Sequence, residues 1–128
     1  MFYEPKNGHP FKIDPYKALV FPRPIGWISS LSKQGIPNLA PYSYFNAVAD
    51  EPPQVMFCSN GDSAYGGFKD SLSNILSTKE FVVNFATSTT RDAMNISSSN
   101  YKPNEDEFVV ARLKKRKSKL VKAPSVND

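Results

Sequence analysis

The sequence predicts a mostly β domain, a largely antiparallel barrel with short helices at its ends. Three observations carry this. Four runs have strand length and strand composition: Ile25–Leu31, Ile36–Tyr44, Gln54–Ser59 and Phe81–Ala86. Eleven prolines in 128 residues favour short strands and stiff loops over long helices. The first two runs are joined by Lys33-Gln34-Gly35, a hairpin turn with a glycine available for positive φ.

Taken in order, residues 1–12 read as a polar N-terminal arm of a single domain spanning 1–128. Asp14-Pro15 starts a short helix, with Asp as N-cap and Pro at the first helical position, and Pro22 stops it. Ile25 to Leu31 alternates with period two, and its Trp27 is assigned to the core, where a lone Trp usually packs. Ala40 to Pro53 then reads as a strand end followed by a proline-bounded loop. Gln54 to Ser59 is a short apolar strand in which Cys58 is expected to be a packed, inert thiol. Asn60-Gly61-Asp62 and Gly66-Gly67 bracket a mobile loop. Asp70 or Ser71 caps a helix running to about Thr78, with Leu72, Ile75 and Leu76 as its apolar stripe. Phe81, Val83 and Phe85 alternate along a buried strand. Thr90 to Ile96 is a weaker helix, and Asn100 to Asp106 a polar loop.

Charge is unevenly placed. Of the 16 basic residues, seven lie within Arg112–Lys122, leaving nine against twelve acidic ones elsewhere. Residues 112–128 therefore read as a basic, solvated and poorly ordered tail on a mildly acidic body. No aromatic is interleaved with these charges, which disfavours a stacking platform for nucleic acid. No run is long and apolar enough for a signal peptide or a membrane span, so a cytoplasmic location is expected.

The residue inventory excludes most protein-only chemistry. One cysteine permits no intramolecular disulfide, and Cys58 with His9 makes no metal cluster. No Walker loop and no Gly-x-Gly-x-x-Gly is present, and no catalytic set of side chains is apparent. An enzyme of this composition needs a cofactor to do the chemistry. Tyr42, Tyr44 and Phe45 beside stiff prolines suit a planar ring held by its edges. Lys69, ahead of a helix start at Asp70-Ser71, suits an anion, or is simply a solvent-facing lysine.

Three blocks in register point further: Arg23-Pro24-Ile25-Gly26-Trp27, Asn38-Leu39-Ala40-Pro41-Tyr42-Ser43-Tyr44-Phe45-Asn46, and Lys69-Asp70-Ser71-Leu72-Ser73-Asn74. In these, from about Lys17 to about Val126, the chain resembles the flavin reductase-like proteins, in the branch of flavoredoxins and flavoprotein oxygenases. The resemblance implies an FMN-binding split barrel. It implies that Ser43, Phe45, Asn46 and Ala47 lie against the flavin ring and ribityl chain, that Lys69 and Ser71 hold the phosphate, and that Ser59 is a further contact. Asn74 is placed either to reach the same face or to pack. Arg23 is either a partner for a flavin or nicotinamide phosphate or a surface arginine between prolines.

The activity implied is reduction of FMN by NAD(P)H, or electron transfer through bound FMN, in a homodimer with the flavin near the interface. The alternatives are a non-catalytic flavin carrier and a basic-tailed nucleic-acid-binding module on a degenerate barrel. Relatives continue beyond the position of Pro124, so an incomplete barrel with an open edge covered by a partner chain is expected.

Overall fold

The computed structural model of the chain describes residues 2–127. It consists of antiparallel sheets and a few short helices. Strand β1 (Gly26–Leu31) is central to a three-stranded sheet, paired with β2 (Pro37–Tyr42) on one side and β5 (Val82–Asn84) on the other. The β1–β2 turn closes as its composition suggests, with Gly35 at φ 84° and Ile36 N–H donating to Ser32 Oγ at 3.0 Å. Strands β3 (Phe45–Asp50) and β4 (Pro53–Phe57) form a second sheet, and β6 (Lys114–Arg116) and β7 (Ser125–Asn127) a third. The helices are α1 (Pro15–Leu19), α2 (Asp70–Thr78), α3 (Arg91–Ile96) and α4 (Glu107–Val110).

The core collects where these pieces meet. Trp27 from β1, Leu39 from β2, Phe108 from α4 and Val126 from β7 form one buried cluster, with Met94 and Leu113 packed against it. Each buried large side chain contributes roughly 1.5–3 kcal/mol. Trp27 is fully enclosed, as expected, and its indole N–H is satisfied by Ser97 Oγ at 2.9 Å. Asn84 joins the sheets. Its amide donates to Trp27 O (2.9 Å) and Ser29 Oγ (3.0 Å), and its oxygen accepts from Val126 N–H (2.8 Å).

Several expectations are corrected. The segment read as a proline-bounded loop is the hairpin β3–β4, with β2 ending at Tyr42 and β4 beginning at Pro53. The tight connection at Glu51-Pro52 leaves Pro53 to start a strand, a position that needs no donated N–H. The fourth run stops at Asn84, and Phe85 is 88% exposed because the chain leaves the sheet for the Thr87–Thr90 turn. Neither Asp70 nor Ser71 caps α2; Lys69 holds the N-cap position without a side-chain cap. The buried face of that helix is Ser71 and Asn74, while Leu76 is half exposed, because β1 and β2 present Ser30 and Asn38 to it. The basic segment contains strand β6, whose Lys115 ion-pairs with Asp106 and lies 5.6 Å from the Phe108 ring centroid. Cys58 is exposed, not packed.

Candidate functional site

Two clefts are lined by successive stretches of β2 and the β2–β3 turn, the smaller by Ala40 to Tyr42 and the larger by Ser43 to Asn46. The larger, about 710 Å³, is bounded by Tyr16, Arg23, Ser43, Phe45, Asn46 and Met56, among others. That volume falls within the roughly 300–1,000 Å³ usual for small-molecule sites. Its wall is built by Arg23. The guanidinium donates to Ser43 Oγ (3.2 Å), Lys17 O (3.1 Å) and Val20 O (2.7 Å), and sits 5.7 Å from the Tyr44 ring centroid. One side chain thus ties the end of α1 to the β2–β3 turn, and the prolines on both sides hold it in place. Cys58 N–H donates to Tyr44 O at 2.9 Å, continuing the β3–β4 pairing past the strand ends. Phe45 lies directly over Gly26: a Cβ there would stand 2.4 Å from Phe45 Cδ2, so the glycine makes room for the ring. Ala47 is exposed further along β3, opposite Val55 at a bulge, and is not among the residues lining the cleft.

The smaller cleft, about 120 Å³, opens at the N-terminus of α2. Lys69, Asp70 and Ser71 come from that helix start, Tyr42 from β2, Tyr65 from the loop before α2, and Ser97 to Tyr101 from the segment after α3. A cation, a helix N-terminus and several hydroxyls on one concave surface suit a phosphate or other anion. The Ser71 side chain is turned inward, 1% exposed. In the amide orientation that satisfies both neighbours, Asn38 donates to Glu107 Oε1 at 3.2 Å and accepts from Ser71 Oγ at 2.7 Å. The hydroxyl proton of Ser71 is therefore committed to Asn38, and toward an anion Ser71 offers its backbone N–H. Asn74 donates to Ser30 Oγ at 3.1 Å, a packing bond behind the helix.

Glu107 lies at the base of this cleft, buried, with Leu39 N–H donating to Oε2 at 3.0 Å. Burial is the main cause that pushes its carboxyl up to about 7, and the nearby Asp70 and Asp106 charges add to it, against the lowering effect of backbone hydrogen bonds. Asp70 is also raised, by burial. Burial raises the Tyr42 phenol, and the hydroxyls of Ser71 and Ser59 partly oppose it. Ser59 Oγ is close enough to act on that phenol, yet buried without a hydrogen-bond partner of ordinary geometry.

The sequence-derived residues therefore divide. Arg23, Ser43, Phe45 and Asn46 gather at the larger cleft, and Lys69 and Ser71 at the smaller. Ser59 falls on the segment that runs from Cys58 and Asn60, at the first, to Ser63 and Tyr65, at the second. Tyr42, read as part of a ring-binding aromatic surface, lines the smaller cleft instead, and Gly26, Asn38 and Glu107 were not singled out. Gly26 carried a signal, standing inside the Arg-Pro-Ile-Gly-Trp block. Glu107 carried none, because its partners Asn38 and Leu39 lie far away in sequence.

This combination of antiparallel sheets, short helices and flanking clefts is the split-barrel architecture. The family model described as flavin reductase like domain matches residues 18–128, and the chain belongs to that family. An uncharacterised protein of Aquifex aeolicus is 47% identical over 112 residues, covering 87% of this chain and 56% of that protein. Nitrilotriacetate monooxygenase component B from Bacillus cereus superposes with a TM-score of 0.84 at 34% identity, covering 98% of this chain and 62% of that one. Flavoredoxin of Desulfovibrio vulgaris (Miyazaki F) shares the fold, with a TM-score of 0.73 at 16% identity over 85% of this chain and 56% of its own. The chain spans about half the length of the curated relatives it matches. Among the described residues no helix is long and apolar enough to cross a membrane.

Proposed function

We propose that the chain is an FMN-binding oxidoreductase domain in which NAD(P)H reduces the flavin, acting in the cytoplasm as a homodimer. The observation that carries this is the pairing of an anion cleft at Lys69 with an aromatic cleft at Phe45, lined by the successive stretches Ala40–Tyr42 and Ser43–Asn46, within a flavin reductase-like domain. The residues present fit a flavin mononucleotide. Lys69 and the first-turn N–H groups of α2 would hold the phosphate. Ser43 and Asn46 would read the edge of a flat ring that packs on Phe45 and Met56. The buried Ser59 hydroxyl, on the segment that runs from one cleft to the other and next to the Tyr42 phenol, suits a polar chain joining ring to phosphate. A bound flavin supplies the capacity to accept and pass on electrons. The protein's part is to orient it: Arg23 fixes the β2–β3 turn, and Tyr42, in the wall of the smaller cleft, is held by its ring tilted against Phe57 with centroids 4.8 Å apart.

The exposed apolar surface of Tyr16, Val20 and Met56 beside the larger cleft supports a subunit interface there. A structural neighbour is named as one component of a monooxygenase, which supports transfer of electrons onward to another protein. The test is anaerobic mixing of the protein and FMN with NADH or NADPH. Bleaching of the flavin band faster than in the protein-free mixture is expected. Binding of FMN without acceleration by either nucleotide identifies a flavin carrier and overturns the enzymatic part.

A further inference from the structure

Glu107 is an unusual neighbour for an anion site. Its carboxyl is buried in the wall of the cleft that holds Lys69, and it reaches α2 by two hydrogen bonds in series, Glu107 to Asn38 and Asn38 to Ser71. It also fixes β2 directly, through Leu39 N–H. One carboxyl thereby sets both the position of the helix start and the charge beneath it. We propose that Glu107 is a positioning residue for the phosphate end of the flavin, and that loss of its proton weakens phosphate binding. This rests on the flavin reading above.

The charged and titratable groups around it are consistent. Lys69 and Asp70 face the cleft from α2, and Tyr42 does so from β2. Asp106, at the start of α4, is ion-paired with Lys115 of β6, so that lysine is engaged elsewhere. Asp70 and Asp106 both raise the carboxyl, and its transition near pH 7 lies in an accessible range. Protonated, Glu107 leaves Lys69 opposed by Asp70 alone. Ionised, it adds a second negative charge beneath a bound phosphate, from a buried position where screening by water is weaker than at the surface. Its hydrogen-bond pattern also changes, since the protonated form can donate to a neighbour and the carboxylate only accepts.

The test is the affinity for FMN and for riboflavin, which lacks the phosphate, from pH 6 to pH 8.5, in the wild-type chain and in Glu107→Gln. The FMN phosphate loses its second proton near pH ~6 in both proteins, so that contribution is shared. For the wild type, FMN affinity should fall roughly five- to tenfold between pH 6.5 and 8.5, with riboflavin affinity flat. Glu107→Gln should bind FMN at pH 8 more tightly than the wild type and show no such fall. A wild-type FMN profile that rises to a plateau and stays there overturns the proposal, and that arm stands even if the variant fails to fold. The same fall in both proteins, or in both ligands, overturns it too. No flavin binding by the wild type at any pH overturns the flavin reading itself, and this inference with it.

Discussion

Glu107 and Gly26 show how single residues shape the clefts. Glu107 has its carboxyl raised from an ordinary 4.5 to about 7 in the folded chain. The stability it contributes is present below about pH 4.5, where it is protonated in both states, and is lost as pH rises through 7. Over that window Glu107→Gln should gain on the wild type by up to roughly 3 kcal/mol, read as the difference in urea midpoints between pH 4.5 and pH 8. Equal pH dependence in the two proteins would contradict the burial argument. Gly26 is needed for space and not for a special φ. Gly26→Ala forces the Phe45 ring away from β1 at a cost of about 1–3 kcal/mol. Thermal unfolding should show the loss, and the ring cleft should bind flavin more weakly. An unchanged melting temperature with unchanged binding would mean that Phe45 moves freely.

At the scale of elements, what was legible depended on local pattern. Strand β1 and its turn were readable because alternation and Gly35 stand next to one another in sequence. So was α1, from Asp14-Pro15, whose carboxylate accepts from Tyr16 N–H at 3.0 Å. The β3–β4 hairpin was hidden by prolines at its turn and by the exposure of most of β3, which leaves no buried–exposed alternation to read. Strand β6 was hidden by its charges: Lys114, Lys115 and Arg116 read as solvated tail, and all three are indeed exposed while their backbone pairs with β7. The apolar stripe on α2 was real but secondary, because the surface it meets is polar. These sheets depend on one buried amide. Asn84→Ala removes three hydrogen bonds linking β5, β1 and β7, taking a donor from Trp27 O and an acceptor from Val126 N–H. A loss of about 2–4 kcal/mol is expected from urea unfolding, with β7 detaching first by amide hydrogen exchange. A loss below about 1 kcal/mol would mean that water replaces the amide at little cost.

For the whole molecule, the family was legible from three blocks in register, and the structure explains why those blocks matter together. Arg23 and Pro24 line the larger cleft with Ser43 to Asn46, Gly26 makes room for Phe45 beside it, and Tyr42 and Lys69 to Ser71 line the smaller one. Ser71 and Asn74 sit at the interior end of the last block, with side chains bonded to Asn38 and Ser30, a distinction that spacing along a helix does not reveal. The central claim is that one flavin spans both clefts, its phosphate at Lys69. The most direct measurement is an equilibrium titration of FMN and riboflavin, followed by flavin fluorescence, with the wild-type chain and Lys69→Ala at low salt. The account predicts saturable binding of both by the wild type, with FMN the tighter, and a loss for Lys69→Ala of roughly tenfold with FMN and little with riboflavin. Equal affinity for the two flavins, unaffected by the substitution, would contradict it.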